Sequence, residues 1–202
     1  GNLMRRDDVV EIAERFNGLV VVDEAYIHFA SKPSMIDEVE RLPNLVVLQT
    51  FSKAWAMAGL RVGLAIAHRG VVELLNRVKP PYNVSGIAQR AVVDAFGNKT
   101  RIDNWILSIV EQRNKLAHAL GQLSGVTVFS SDANFLLIKM PDADEVYEYL
   151  LRKKIVVRNR NNVQWCDGCL RITIGTGKEN ELLISALYEF YKLGAREQGT
   201  AS

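Results

Sequence analysis

Two side chains in this sequence have the type and spacing for amine chemistry: Lys53, in Thr50-Phe51-Ser52-Lys53, and Asp23, in Asp23-Glu24-Ala25-Tyr26. Each follows an apolar run, Leu45-Val46-Val47-Leu48 before the lysine and Leu19-Val20-Val21-Val22 before the aspartate. Such runs read as buried strands, and open α/β sheets present their ligand groups at the carboxyl ends of strands. If the two strands are neighbours, an amine and a carboxylate converge. Lysine forms Schiff bases with carbonyl compounds as a free amine, a state favoured by partial desolvation or by a nearby cation such as Arg61. A lone Ser-Lys dipeptide is in most chains a solvated loop lysine. The carboxylate one strand earlier changes that weighing.

Pyridoxal phosphate chemistry needs this pair, because a lysine amine holds the aldehyde and a carboxylate keeps the pyridine nitrogen protonated. Tyr26 can donate to the ring phenolate oxygen, and Ser52 with Arg61 can hold a phosphate through a hydroxyl and a planar fork of donors. Arg171 lies in Leu170-Arg171-Ile172-Thr173-Ile174, where alternation turns it away from the face claimed by leucine and the isoleucines. On spacing alone it is a surface arginine, and Arg158 is a polar strand end.

Asp23-Glu24-Ala25-Tyr26 together with Ser52-Lys53 through Arg61-Val62-Gly63 resembles the fold type I pyridoxal-phosphate-dependent aminotransferases. Within that family the pattern is most similar to the histidinol-phosphate aminotransferase branch. Further matches are Pro81-Tyr82-Asn83-Val84-Ser85, Asn134-Phe135, Val157-Arg158 and the run from Cys169 to Thr176, so the likeness extends almost end to end.

The resemblance implies an α/β fold. Residues 1–99 would be the C-terminal part of a cofactor-binding large domain with a mixed, mostly parallel sheet. Residues 100–202 would be a smaller α+β domain that includes a long connecting helix. It implies pyridoxal 5'-phosphate as cofactor, held by Asp23, Tyr26, Thr50, Ser52, Lys53 and Arg61, with Lys53 catalytic. Arg171 would take the substrate carboxylate and Arg158 a substrate phosphate, with Tyr82 and Asn134 lining the same cavity. The implied reaction moves an amino group between histidinol phosphate and 2-oxoglutarate in histidine biosynthesis, carried out by a cytoplasmic homodimer. An aromatic transaminase or an amino-acid-phosphate decarboxylase of the same fold, and a non-catalytic fragment, remain open alternatives. The family carries a large segment ahead of the position of Gly1, with a ring-stacking aromatic and a phosphate-holding helix N-terminus. The chain is therefore expected to be N-terminally incomplete and, alone, to bind cofactor weakly.

Bulk properties agree with small-molecule work. Lysine and arginine number 25 against 23 aspartates and glutamates, a net charge of +2, and no basic block gives a footprint for nucleic acid or an anionic membrane. No apolar run is long enough to span a bilayer. Cys166 and Cys169 form one Cys-x-x-Cys pair without a second ligand pair, which reads as two reduced thiols. His28, His68 and His118 are scattered, and no metal site follows.

The elements that must position these residues are legible as periodicities. Apolar positions 9, 12, 13 and 16 predict a helix stopped by Asn17-Gly18, then a strand ending at Asp23, a helical stretch near 36–42 and a strand into Thr50. Residues 61–67 read as a third strand running antiparallel. Helices are expected over 71–78 and after Ser85, the latter with Ile87, Ala88, Ala91, Val92 and Ala95 inward. Thr100 and Asp103 suggest a capping box opening the long helix, and Thr176 with Glu179 a second one opening the last helix. Strands are expected at 126–129, 135–139, 155–158 and 169–174, helices at 142–153 and 178–193, and a frayed end at 197–202.

Overall fold

A computed structural model describes the backbone of residues 1–199 and the side chains of residues 1–192. Helix α1 (Arg6–Arg15) turns Val9 and Ala13 inward, and its C-terminus is held from a distance. The Asn44 side-chain amide donates to the carbonyls of Ala13, Phe16 and Gly18 at 2.9–3.1 Å, satisfying acceptors that a helix end leaves open. Arg6 and Arg41 both reach Glu38, at 2.8 and 2.7 Å, and Arg41 also reaches Glu14. The stretch expected to be helical near 36–42 is a single 3₁₀ turn, Met35–Glu38, capped by the Ser34 hydroxyl.

Strands β1 (Val20–Asp23), β2 (Leu45–Thr50) and β3 (Gly63–Ala67) form one sheet in that order. β1 and β2 are parallel, from Val20 beside Leu45 to Asp23 beside Leu48. β3 returns antiparallel on β2, from Val46 beside Ala67 to Thr50 beside Gly63. The sheet is mixed, as expected for strands joined by a loop too short to hold a crossover helix. Alternation along the strands separates two faces. Val20, Val22, Leu45 and Val47 pack with Val9, Ala13, Met35, Val39 and Leu42 as a core. Burying Leu45 or Val47 completely contributes about 1.5–3 kcal/mol each over leaving it in water. The opposite face carries Val21, Asp23, Leu48 and Thr50 beside Gly63, Ala65 and Ala67, small residues that keep it low.

Helix α2 (Arg69–Val78) starts two residues earlier than its apolar pattern suggests, because His68 Nδ1 accepts from the Gly70 amide. Helix α3 (Gly86–Phe96) begins at the expected cap, where the Ser85 hydroxyl accepts from the Ala88 amide at 3.2 Å. Ala88 and Ala95 are buried, seven residues apart on one side, while Ile87 is 82% exposed and does not point inward as expected. Helix α4 (Lys99–Gly121) includes Thr100 within its first turn, so the capping box expected there is not formed. Asp103 instead takes Lys99 Nζ at 2.6 Å, an i,i+4 pair that satisfies the carboxylate along the helix.

The chain divides into two compact units within α4: Leu3–Ile106 is one, and Gly1–Asn2 with the residues from Leu107 onward is the other. In the second, β4 (Thr127–Val128), β5 (Phe135–Lys139), β6 (Arg158–Asn159) and β7 (Cys169–Thr173) form a sheet in the order β4-β5-β7-β6. All its pairings are antiparallel. Helices α5 (Ala143–Arg152) and α6 (Gly177–Gly199) pack Val146, Leu150, Leu183 and Leu187 on Leu136, Ile138, Leu170 and Ile172, with Leu116 and Leu120 of α4. The second capping box is present: Glu179 accepts from the Thr176 amide and hydroxyl at 2.7 Å each. Those bonds, the backbone one first, hold the Glu179 carboxyl below its usual range. The helix expected to stop at 193 continues to Gly199, and the rest of the end expected to fray lies outside the described residues. Cys166 and Cys169 are both free thiols, with Cys169 buried and its pKa pushed up by that burial. Among the described residues no helix is long and apolar enough to cross a membrane.

Candidate functional site

In the unit Leu3–Ile106 the candidate groups gather at the carboxyl ends of β1 and β2. Asp23 is exposed on the low face, and its Oδ1 accepts from the Ala25 amide at 3.0 Å, a local turn that orients the carboxylate. The Ile27 amide donates to the Glu24 carbonyl at 3.1 Å and closes the turn that presents Tyr26. Lys53 Nζ lies 5.4 Å from the centroid of the Tyr26 ring, within cation–π reach.

The loop that carries Lys53 is built from both ends. Thr50 Oγ1 accepts from the Ser52 amide at 3.0 Å, so this hydroxyl is engaged in shaping the turn. The Phe51 amide donates to the Val62 carbonyl, and the Met57 amide to the Phe51 carbonyl. Phe51 and Trp55 are buried beside Phe96, with ring centroids 5.0–6.0 Å apart. They are packing that anchors the loop, and Lys53 between them is exposed. Ala56 and Arg61 both sit at φ 56°, in the left-handed region, which costs an L-residue roughly 1–2 kcal/mol. Arg61 is exposed, and its Nη1 donates to the Ala58 carbonyl at 3.0 Å. Tyr82, in the turn before α3, is 94% exposed.

These strand ends and their loops carry an amine, a carboxylate, a phenol, hydroxyls and a guanidinium. Their chemistry suits pyridoxal phosphate: an amine for the aldehyde, a carboxylate for the ring nitrogen, a phenol for the ring oxygen, and hydroxyls with a guanidinium for the phosphate.

The second unit gathers the cations. Arg171 on β7 is paired with Leu137 of β5 on one side and with Arg158 of β6 on the other. Its Cζ lies 5.1 Å from the Phe135 ring centroid, and its Nε is buried without a hydrogen-bond partner. Arg158 is exposed. Asn134 enters β5 through a fixed loop: its carbonyl accepts from the Ile174 amide, and Ser131 Oγ bridges the Phe135 carbonyl and the Ala133 amide. The Arg113 guanidinium, buried on α4, donates to the Ala133 carbonyl at 2.9 Å, and burial lowers its pKa.

The structure thus brings Lys53 and Tyr26 together, places Asp23 on the neighbouring strand, and sets Arg158 beside Arg171. Sequence reasoning missed Glu24 and Arg113. Strand alternation after Val20 and Val22 is the signal that puts Glu24 on the core side. No comparable pattern marks Arg113.

Residues 1–187 match the model of the family described as aminotransferase class I and II, and the chain belongs to that family. It is 44% identical over 188 residues to the histidinol-phosphate aminotransferase of Parabacteroides distasonis, covering 93% of this chain and 54% of that protein. The chain therefore spans about half the length of the curated relatives it matches. Its fold superposes on L-threonine-O-3-phosphate decarboxylase from Porphyromonas gingivalis with a TM-score of 0.85 at 24% identity, over 95% of this chain and 61% of the other. The histidinol-phosphate aminotransferase from Sinorhizobium meliloti in complex with pyridoxal-5'-phosphate gives 0.80 at 24% identity, over 94% and 53%. Likeness at that identity establishes the fold, which an aminotransferase and a decarboxylase share.

Proposed function

We propose that this chain serves a pyridoxal-phosphate-dependent aminotransferase that exchanges an amino group between histidinol phosphate and 2-oxoglutarate. The observation that carries the reading is the Arg158 and Arg171 pairing, which puts two guanidinium groups on one sheet face with a buried, partnerless Nε. Such a pair suits substrates bearing a phosphate or carboxylates.

When bound, pyridoxal phosphate supplies an aldehyde that takes up the amino group and a ring that accepts electrons. Lys53 Nζ would hold the aldehyde and would move the proton at the substrate carbon that bears nitrogen. Asp23 holds a proton on the ring nitrogen. Tyr26 donates to the ring oxygen, Ser52 and Arg61 bind the phosphate, and Thr50 orients Ser52. Arg171 takes the carboxylate of the 2-oxo acid and Arg158 the phosphate of histidinol phosphate, and Tyr82 and Asn134 are assigned to substrate binding. Residues 1–99 are assigned to the cofactor-binding domain and residues 100–202 to the smaller one, whereas the compact units divide after Ile106 and Gly1–Asn2 group with the second. The protein works as a cytoplasmic homodimer.

Two measurements test this. Borohydride reduction of the cofactor-loaded protein, followed by peptide mass analysis, should place a pyridoxyl group on Lys53, and Lys53→Ala should abolish the label. With histidinol phosphate and 2-oxoglutarate, glutamate should accumulate. A label elsewhere, or carbon dioxide released from O-phosphothreonine in place of glutamate formation, overturns the assignment.

A further inference from the structure

We propose that Glu24 is a positioning residue that fixes the spacing between Asp23 and the Lys53 loop, an inference that rests on reading those two as the cofactor groups. Glu24 is 6% exposed, and the hydrogen bonds its carboxylate accepts among the described residues come from neutral donors. Oε2 accepts from Ser34 Oγ at 2.5 Å and from Gln49 Nε2 at 3.0 Å, and Oε1 accepts from the Met35 amide at 2.7 Å. Gln49 Nε2 also lies 3.3 Å from Ser34 Oγ, closing the network. All three partners are donors, so an apolar side chain here would leave them without an acceptor and an amide would set its own N–H groups against them; only a carboxylate takes all three and so holds the position.

The last ladder pair between β1 and β2 is Asp23 with Leu48. Beyond it the chains diverge, one into the Tyr26 turn and the other into the Thr50–Lys53 turn. Glu24 bridges that divergence twice, through its amide to the Leu48 carbonyl at 2.8 Å and through its side chain to Gln49. Asp23 and Glu24 are consecutive, so they point to opposite faces. Each movement of the bridge on the core face is transmitted to Asp23 on the cofactor face. Through Ser34 and Met35 the same carboxylate also ties in the 3₁₀ turn, which braces the bridge against the core.

The test uses Glu24→Gln, with Gln49→Leu breaking the same bridge from the other strand in case the first variant does not fold. Asn44→Ala, which loosens the α1 terminus away from the site, is the stability control. Four quantities are read for each: the pH midpoint of the bound cofactor's visible absorbance, kcat and KM for 2-oxoglutarate, and Tm. A misplaced reacting group costs up to about a hundredfold, so both bridge variants should lose roughly tenfold to a hundredfold in kcat. Their KM should stay within about twofold, since Arg171 is untouched. Their absorbance midpoint should move by roughly one pH unit as the field of Asp23 shifts. Asn44→Ala should lower Tm while leaving the midpoint in place. Bridge variants that lose Tm but keep the wild-type midpoint and kcat overturn the inference and leave the Lys53 reading standing. A wild-type protein with no borohydride-stable label at Lys53 overturns the Lys53 reading first, and the inference with it.

Discussion

Arg158 and Arg171 stand directly opposite each other on adjacent antiparallel strands, two like charges in register on one face of the sheet. Like charges in that relation repel, so without an anion the pair is a small liability. Arg158→Gln should therefore leave the ligand-free protein as stable as before or slightly more so. The same change should raise KM for histidinol phosphate by roughly tenfold or more, the loss expected for a charge-assisted hydrogen bond. Arg171→Lys should raise KM for 2-oxoglutarate, because an ammonium cannot reproduce the two-pronged fork. Steady-state kinetics on both substrates with a thermal melt checks this, and a destabilised Arg158→Gln with unchanged KM would refute it.

Asp23 is the acceptor with the narrowest task. Asp23→Asn keeps the shape and the Ala25 turn but removes the charge proposed to hold a proton on the ring nitrogen. The expected outcome is a fall in kcat larger than any fall in cofactor occupancy, read by turnover and by titrating cofactor into the variant. Unchanged kcat would remove Asp23 from the role.

His28 makes acid stability informative. Its ring lies 6.2 Å from that of Trp55, edge on, and burial pushes its pKa below the ordinary 6.5. The Glu24 carboxylate opposes that shift, Lys99 adds to it and Asp103 opposes it. The unfolded chain thus takes up the proton more readily than the folded one. Stability is full above the unfolded value of 6.5 and falls as the pH drops from there toward the lower folded value. Tm measured from pH 7 to about 5.5 should decline, and His28→Phe should flatten that slope. A slope that survives the substitution would assign it to other groups.

Much of this was legible in the sequence for identifiable reasons. The runs before Asp23 and Lys53 are apolar enough to be strands, and Ser85 and Thr176 cap helices through hydroxyls that accept from the amides three residues on. Thr100 and Asp103 mislead because Asp103 has a competing partner in Lys99 four residues back, and the ion pair prevails. Ile87 misleads because a pattern rich in apolar residues fits several helix phases, and only Ala88 and Ala95 are buried. Glu24 escapes notice because Asp-Glu reads as one acidic unit, whereas the strand sends its halves to opposite faces. Its partner Ser34 is ten residues away and is identified only by the fold.

The bridge at Glu24 bears on how the chain finds its alignment while folding. A one-residue slip of a strand exchanges its two faces, and apolar patterning normally forbids it. In β1 that protection is missing, since Val20, Val21 and Val22 replace one another without penalty and Asp23 and Glu24 exchange one carboxylate for another. What separates the true pairing from the shifted one is reach. Only the longer glutamate, on the core side, can meet Ser34, Met35 and Gln49 at once. The side chain that spaces the cofactor groups is therefore also the feature by which a strand of repeated valines is read in the right frame.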